Sequence, residues 1–500
     1  MSSTHEPTKR SRYRHERAPK ISRRSAIAGA GAMLAALAAR DCEAARAAGV
    51  PPTAITQGQV TIRGRLIRYR AEAGETAMRN AAGVPRATMF SVSYLARGGA
   101  VHERPVTFIY NGGPGGATWP LRNAIAPSII GGADAPPGYA FVENPNSLLD
   151  VSDLVFIDAP GTGYSRFLSQ DAKAEYWGIE QDGRAFSKFI VGWLRAHGRM
   201  SSPKYLLGES YGGTRTGQIL QMLALRERDP VAFEGVTLIS PTLGTGTDSV
   251  FSGVSNGSET LVPSEAVAAW YNRRGDFRSE TLEQIAARAQ HFAAGRYADA
   301  LARIDRLDGA GKRAIAHGLS ALIGIAPDAI LRSRLSVPIP AFRHLLLAGE
   351  GEVLGGDSRK HHPKGFEPPL LDTAKGYDLN AAIIAMVRVK LGYRTNQPYD
   401  RNPIEAHEKW NNTITSGRRA LPAILEAMTH ANSGFGVFLA GGYFDLIVPY
   451  FLPLTALRAA HLPAPRFVHR LYPTGHPVLN DVAARPVAVS DVRAFYRSRA

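Results

Sequence analysis

A serine hydroxyl acts as a nucleophile near neutral pH only with a base in hydrogen-bond reach and a carboxylate that holds the base. Gly208-Glu209-Ser210-Tyr211-Gly212 offers such a serine. The apolar run Tyr205-Leu206-Leu207 precedes it, and Ile219, Met222 and Leu223 follow at helical spacing. That context predicts a strand, a sharp turn and a helix, a geometry that lifts a hydroxyl clear of the backbone. Asp445 ends Gly441-Gly442-Tyr443-Phe444-Asp445, after the strand-like run 437–440, and His476 ends Thr474-Gly475-His476, after the run 466–472. Loops after strands collect catalytic groups in open sheets, and the chain order serine, acid, histidine fits a nucleophilic triad. Taken singly, Ser210 reads as a turn serine, Asp445 as a turn former and His476 as a loop residue. Order and context together point to acyl transfer through Ser210, Asp445 and His476. Asn111-Gly112-Gly113-Pro114-Gly115 follows another strand-like run, 106–110. It is placed to supply an oxyanion amide opposite that of Tyr211. The plainer reading is a Gly/Pro turn, and the Gly-Lys-Ser/Thr of a phosphate loop does not follow.

The elements that must carry these residues read as α/β. Phe90, Val92 and Tyr94 alternate as on a half-buried strand, and 154–157 is apolar throughout, as on a strand buried on both faces. Phe186, Phe189, Ile190 and Trp193 fall on one helical face, and a strand is predicted over 236–239. This alternation implies a mainly parallel sheet with crossover helices. The pattern changes after Pro241: 263–392 is mostly helical, with one face on Leu282, Ile285, Ala289 and Phe292, another helix over 381–391, and Pro/Gly breaks over 349–369. The chain therefore divides into an export signal (1–47), a first part of the core (48–245), a helical cap insertion and return (246–430) and a second part of the core (431–500). His361-His362 lacks metal-ligand spacing and reads as a solvated loop. Trp119, Tyr164 and Trp177 are candidates for a pocket wall, with core packing the default.

Composition bounds the class. The chain has 500 residues, 44% of them apolar, enough for one large core with an insertion. The net charge is +16, of which +6 lies in residues 1–47. No basic stripe interleaved with aromatics is present, so a solvated arginine-rich surface is expected and no nucleic-acid partner. Ser22-Arg23-Arg24-Ser25-Ala26-Ile27 is a twin-arginine element, followed by an apolar stretch to Ala39 and a small-x-small site at Ala45-Arg46-Ala47. The stretch is too short for a permanent span, so periplasmic or secreted localisation is expected. The other reading is a disordered basic tail. Cys42 is the only cysteine, and Ala39-Arg40-Asp41 before it is a poor lipid-attachment site. The mature chain would have no thiol and no disulfide.

Four motifs in order carry a resemblance: Asn111-Gly-Gly-Pro-Gly115, 156–165 (Phe-Ile-Asp-x-Pro-Gly-Thr-Gly-Tyr-Ser), Gly208 to Gly212, and the Asp445 and Gly475-His476 elements. The chain resembles the serine carboxypeptidase family, over roughly 59–500 and least in the cap; without disulfides it resembles the bacterial branch. The resemblance implies an α/β-hydrolase fold with an inserted helical cap. It implies Ser210 as nucleophile, His476 as base and Asp445 as its partner. The amides of Gly113 and Tyr211 would hold the oxyanion. Asn111 and Glu209 would bind the free C-terminal carboxylate of a peptide substrate, and neither cofactor nor metal is implied. A glutamate binds a carboxylate only if one of the two keeps a proton, so binding should tighten at acidic pH. The alternative for Glu209 is a structural residue salt-bridged beneath the turn. The sequence departs from the family at Gly116, where Ser or Cys is usual, in the shorter Asp158 loop, and at Pro477, where a bulky apolar residue is usual. These changes touch the substrate side. The same triad would serve an esterase or acyltransferase, and a noncatalytic binding protein of this fold is the third reading. The sequence does not set the oligomeric state.

Overall fold

The structure is a computed structural model describing residues 50–131, 138–226, 228–244, 257–277, 279–364, 378–414 and 420–499. The export signal therefore lies outside the described residues, as do parts of the predicted cap. Nine strands form one sheet: β1 (Ala54–Ile62), β2 (Arg65–Arg79), β3 (Pro85–Ala96), β4 (Val106–Tyr110), β5 (Asp153–Ile157), β6 (Lys204–Glu209), β7 (Gly235–Ile239), β8 (Gly436–Gly442) and β9 (Phe467–Tyr472). Their order is β1-β2-β3-β5-β4-β6-β7-β8-β9. The first three pairings are antiparallel, ending with Val92 opposite Phe156. All pairings from β5 to β9 are parallel. The fold is that of an α/β-hydrolase.

β4 to β8 are buried along their whole length, which is why they read as continuous apolar runs. Alternate residues feed two cores. Phe108, Val155, Leu206, Val236 and Leu439 face one side, with Phe186, Phe189 and Ile190 of the helix Ile179–Ala196 (α1). Ile109, Leu154, Tyr205, Leu207 and Phe438 face the other, with Leu121 of the helix Trp119–Ile125 and Val489, Val492 and Phe495 of the helix Arg485–Arg497. Each fully buried leucine or phenylalanine contributes about 1.5–3 kcal/mol. The sheet is therefore a rigid base, and the loops at its carboxyl ends inherit fixed positions.

β7 and β8 are neighbours, with Val236 opposite Val437, yet nearly two hundred residues separate them. The described part of that insertion is mostly helical. It includes Val262–Tyr271, Leu282–Phe292, Gly309–Ile323 and Ile339–Leu346. The Leu282 helix starts on a capping box, Thr281 with Gln284, and buries Ile285 and Ala289. His361 and His362 lie on a short ladder, 361–363 against 351–353, rather than in an irregular loop. The helix predicted over 381–391 is capped by the Asp378 side chain and spans Leu379–Ala385, then widens into one π-turn, Met386–Lys390. No helix of the described residues is long and apolar enough to cross a membrane.

Candidate active site

β6 ends at Glu209 and the helix Gly212–Leu223 (α2) starts two residues after Ser210. Ser210 has φ +59°, a left-handed conformation that costs a non-glycine residue about 1–2 kcal/mol. Three backbone hydrogen bonds hold it there: Ser210 N–H to Ile239 O, Gly213 N–H to Ser210 O and Thr242 N–H to Ser210 O, each 2.9 Å. The strand and helix meet closely enough that a Cβ on Gly208 would lie 2.5 Å from Gly212 O. Ser210 is half-buried, between a buried Glu209 and a buried Tyr211. The turn thus presents the hydroxyl while the residues on either side anchor it.

Asp445 lies in the loop after β8, and His476 in the loop after β9. Asp445 is fully buried. Its Oδ1 accepts the amides of Ile447 at 2.8 Å and Val448 at 2.9 Å, and its Oδ2 accepts His476 Nδ1–H at 2.8 Å. With both oxygens committed, the carboxylate cannot rotate and the imidazole is held with Nε2 as its free face. Burial alone would pull the His476 pKa down; the adjacent Asp445 carboxylate and the charge of Glu209 outweigh it, leaving His476 above its ordinary value. The segment after β7 joins this pair to the serine turn: Ser240 Oγ donates to His476 O at 3.0 Å, one residue after the carbonyl that holds the Ser210 amide. Among the described residues neither Ser210 Oγ nor His476 Nε2 makes a hydrogen bond. The structure brings Asp445 and His476 into direct contact and leaves the Ser210–His476 bond open, as free catalytic sites often do.

The loop after β4 lies over the Ser210 turn. A Cβ on Gly112 would collide with Tyr211 N and lie 2.9 Å from Ser210 Cβ, so only glycine lets the two backbones meet. Gly113, the next residue, has φ +116° and is exposed. Asn111 Nδ2 donates to Glu209 Oε1 at 2.6 Å, and Asn111 Oδ1 accepts the Leu121 amide at 3.3 Å. Glu209 is 4% exposed, and its Oε2 has no hydrogen-bond partner. No cation pairs with it among the described residues, contrary to the salt-bridged alternative. Burial pushes the Glu209 carboxyl up to about 7, with the charge of Asp445 adding and the His476 charge and Asn111 bond opposing. A buried carboxyl that is neutral near pH 7 has a proton to donate. Gly116 donates its amide to Gly112 O at 2.9 Å; a Cβ there would come within 3.0 Å of the same oxygen. Pro477 is exposed and begins the turn Val478–Asn480.

Two supports were not legible as such in the sequence. Asp158 is buried beneath the Gly115–Thr118 loop; its Oδ1 accepts the Thr118 amide at 2.7 Å and its Oδ2 the Tyr399 hydroxyl at 3.2 Å. Burial pushes its carboxyl up to about 6. Gly163, φ +58°, leaves no room for a Cβ beside Asp158 Oδ2. The 156–165 motif therefore braces the loop that carries Asn111 and Gly113. Arg215, fully buried in α2, pairs with Asp182 of α1 through Nε at 2.7 Å and Nη2 at 3.1 Å and donates Nη1–H to Asn111 O. It stacks 4.2 Å from the Phe186 ring. Its position one turn past Ser210 is the only sequence signal, and that pairs it with nothing. Of the three aromatics, Tyr164 packs in the core, Trp119 lies partly buried against it, and Trp177 packs with Tyr211 and Trp410 beside the serine turn.

Residues 84–292 match the family model described as serine carboxypeptidase. Among solved structures the chain is similar to MenH from S. aureus, at 13% identity over 82% of this chain and 98% of that one, with a TM-score of 0.35. It is also similar to the juvenile hormone epoxide hydrolase of the silkworm Bombyx mori, at 10% identity over 86% and 79%, with a TM-score of 0.37. Candida antarctica lipase A follows at 12% identity over 89% and 82%, with a TM-score of 0.32. No curated protein matches the chain.

Proposed function

With residues 84–292 matching the serine carboxypeptidase family and the chain a serine hydrolase, we propose that it is an exported serine carboxypeptidase releasing C-terminal residues from peptides. Ser210 Oγ adds to the carbonyl carbon of the last peptide bond and passes its proton to His476 Nε2. Asp445 keeps the imidazole oriented and stabilises its cation. The amides of Gly113 and Tyr211 hold the oxygen that becomes negative. Collapse expels the C-terminal amino acid, whose nitrogen takes the proton from His476. Water, deprotonated by His476, then cleaves the Ser210 ester.

The observation that carries this reading is Glu209 Oε2, buried without a partner beside Asn111 and adjacent to Ser210. An esterase has no need of a protonatable carboxyl at that spot. A carboxypeptidase needs a neutral hydrogen-bond donor there, because the substrate's own carboxylate must be bound without repulsion. The test is hydrolysis of one N-blocked dipeptide against its C-terminal amide, with Ser210→Ala as control. Strong preference for the free acid supports the reading. Equal turnover of acid and amide refutes it in favour of an esterase or amidase, and Ser210-independent turnover refutes the nucleophile. Export through the twin-arginine element predicts that Arg23→Lys with Arg24→Lys traps the protein in the cytoplasm; unchanged fractionation would reject that route.

A further inference from the structure

The Asp445–His476 pair sits on the loops after the last two strands of the sheet. β9 is the edge strand, so the loop carrying His476 has a strand neighbour on one side only. The other side is filled by a segment that neither the resemblance nor the motifs single out. Residues Gly355–Arg359 come from the insertion, from the Pro/Gly-rich stretch between the two strands of the short ladder, and wedge between both loops.

The contacts are directional and reach both catalytic loops. Leu446 N–H donates to Gly355 O at 2.9 Å, and Ser358 N–H donates to Phe444 O at 3.0 Å, so both neighbours of Asp445 are bonded to this segment. His476 N–H donates to Gly356 O at 2.7 Å. Gly475 has no room for a Cβ against Gly356 O, which brings the two backbones into contact. Arg359 locks the arrangement. Its Nη1 donates to Pro473 O at 2.7 Å, and its Nη2 reaches Asp481 Oδ2 at 2.9 Å. The same Asp481 oxygen accepts Thr474 Oγ–H at 3.0 Å. Asp357 fixes the guanidinium plane by two 2.8 Å bonds, and the guanidinium lies 5.3 Å from the Phe444 ring. Asn272 Nδ2 donates to Ser358 O at 3.1 Å, tying the segment to the end of the helix Val262–Tyr271.

We propose that Gly355–Arg359 is a clasp, contributed by the insertion, that sets the spacing of Asp445 and His476, with Arg359 as its positioning residue. It rests on the triad reading above. The Gly356 contact, the Phe444 N–H bond to Thr474 O at 3.0 Å and the Ser240 bond hold the His476 loop only at residues 474 and 476; the guanidinium adds anchors at Pro473 and Asp481, on either side of the histidine. A planar fork suits this task and an ammonium does not, since it must meet one carbonyl and two carboxylates at fixed angles. Through Asn272, the helical insertion gains a mechanical hold on the catalytic base.

The experiment is the rate of fluorophosphonate labelling of Ser210, with kcat and KM on an activated p-nitrophenyl ester, in Arg359→Ala, Arg359→Lys and wild type, with folding checked by near-UV circular dichroism. Arg359→Ala is expected to label about 10- to 100-fold slower, the scale of an ångström-level misplacement, with KM little changed and Arg359→Lys between the two. The acid limb of the labelling rate should move to lower pH, because a loosened Asp445 holds the imidazolium less well. Asp445 and Glu209, the charged groups that face His476, stay in place in these variants. A purely structural role would lower the melting temperature and leave both the rate per folded molecule and the limb unmoved, and that result overturns the clasp. Should Arg359→Ala fail to fold, Asp357→Asn, which removes only the orienting carboxylate, is expected to label about 3- to 10-fold slower; wild-type behaviour there overturns the proposal equally. Failure of the triad reading is separately visible, as labelling or turnover that survives Ser210→Ala or His476→Ala.

Discussion

Replacing Glu209 by glutamine tests the chemistry of the site without removing its shape. The carboxyl is buried, bonded through one oxygen to Asn111, unpartnered at the other, and pushed to about 7 by burial first of all. If its proton is what binds the substrate carboxylate, kcat/KM on a free-acid dipeptide falls about tenfold per pH unit above 7. The C-terminal amide shows no such limb. His476 must be neutral to act as base, and its pKa is raised, so activity also falls on the acid side. The two groups influence each other, and the limbs belong to the pair. Glu209→Gln carries no charge at any pH. The alkaline limb should vanish, and the acid limb should stay close to its wild-type position, because the active form already carries a neutral Glu209 there. Stability supplies a readout free of substrate. The folded pKa lies above the ordinary 4.5, so the contribution of the neutral carboxyl is complete below about 4.5 and is lost as pH rises through about 7. The loss is about 3 kcal/mol, at about 1.4 kcal/mol per pKa unit. Urea titrations at pH 5 and pH 8.5 should therefore show the difference between Glu209→Gln and wild type swinging toward the variant by most of that amount, about 2.5 kcal/mol. An alkaline limb that persists in Glu209→Gln, or no swing between the two pH values, refutes the reasoning.

Further expectations concern the supports. Asp445→Asn should lower kcat about 10³- to 10⁴-fold by freeing the imidazole tautomer, and should shift the acid limb of kcat/KM downward; an unshifted limb measured by stopped-flow assay would separate His476 from Asp445. Arg215→Met leaves Asp182 buried and uncompensated, which should cost about 3–5 kcal/mol; adding Asp182→Leu should recover most of it in urea unfolding, and failure to do so would show that the bond to Asn111 O dominates. Gly163→Ala places a Cβ against Asp158 Oδ2 at φ +58°, and should cut ester hydrolysis through the Thr118 loop as well as lowering the melting temperature. Wild-type activity in that variant would detach the 156–165 motif from the site.

Much of the fold was legible because the central strands are buried on both faces and announce themselves as unbroken apolar runs, as in 154–157 and 205–207, while α1 shows its buried face through Phe186, Phe189, Ile190 and Trp193. The turn at Ser210 was legible because close backbone approach demands glycine at fixed offsets. The helix predicted over 381–391 widens into a π-turn, and the loop expected at His361-His362 is a short ladder; neither outcome follows from local periodicity. Asp158 and Arg215 carry ordinary side chains whose partners lie far along the chain, and Gly355–Arg359 sits in a stretch that reads only as a Pro/Gly break.

The sequence by itself determined the strand-turn-helix around Ser210, the order of serine, acid and histidine, and the α/β alternation, since each depends on local sterics or on short-period burial. Only the tertiary structure decided that Glu209 Oε2 is buried without a partner, that Asp158 and Arg215 brace the Asn111 loop, and that the insertion reaches back to grip the Asp445 and His476 loops. Those are relations between segments from about 30 to more than 100 residues apart, set by how the sheet and its insertion close over one another, and no local rule of spacing encodes them.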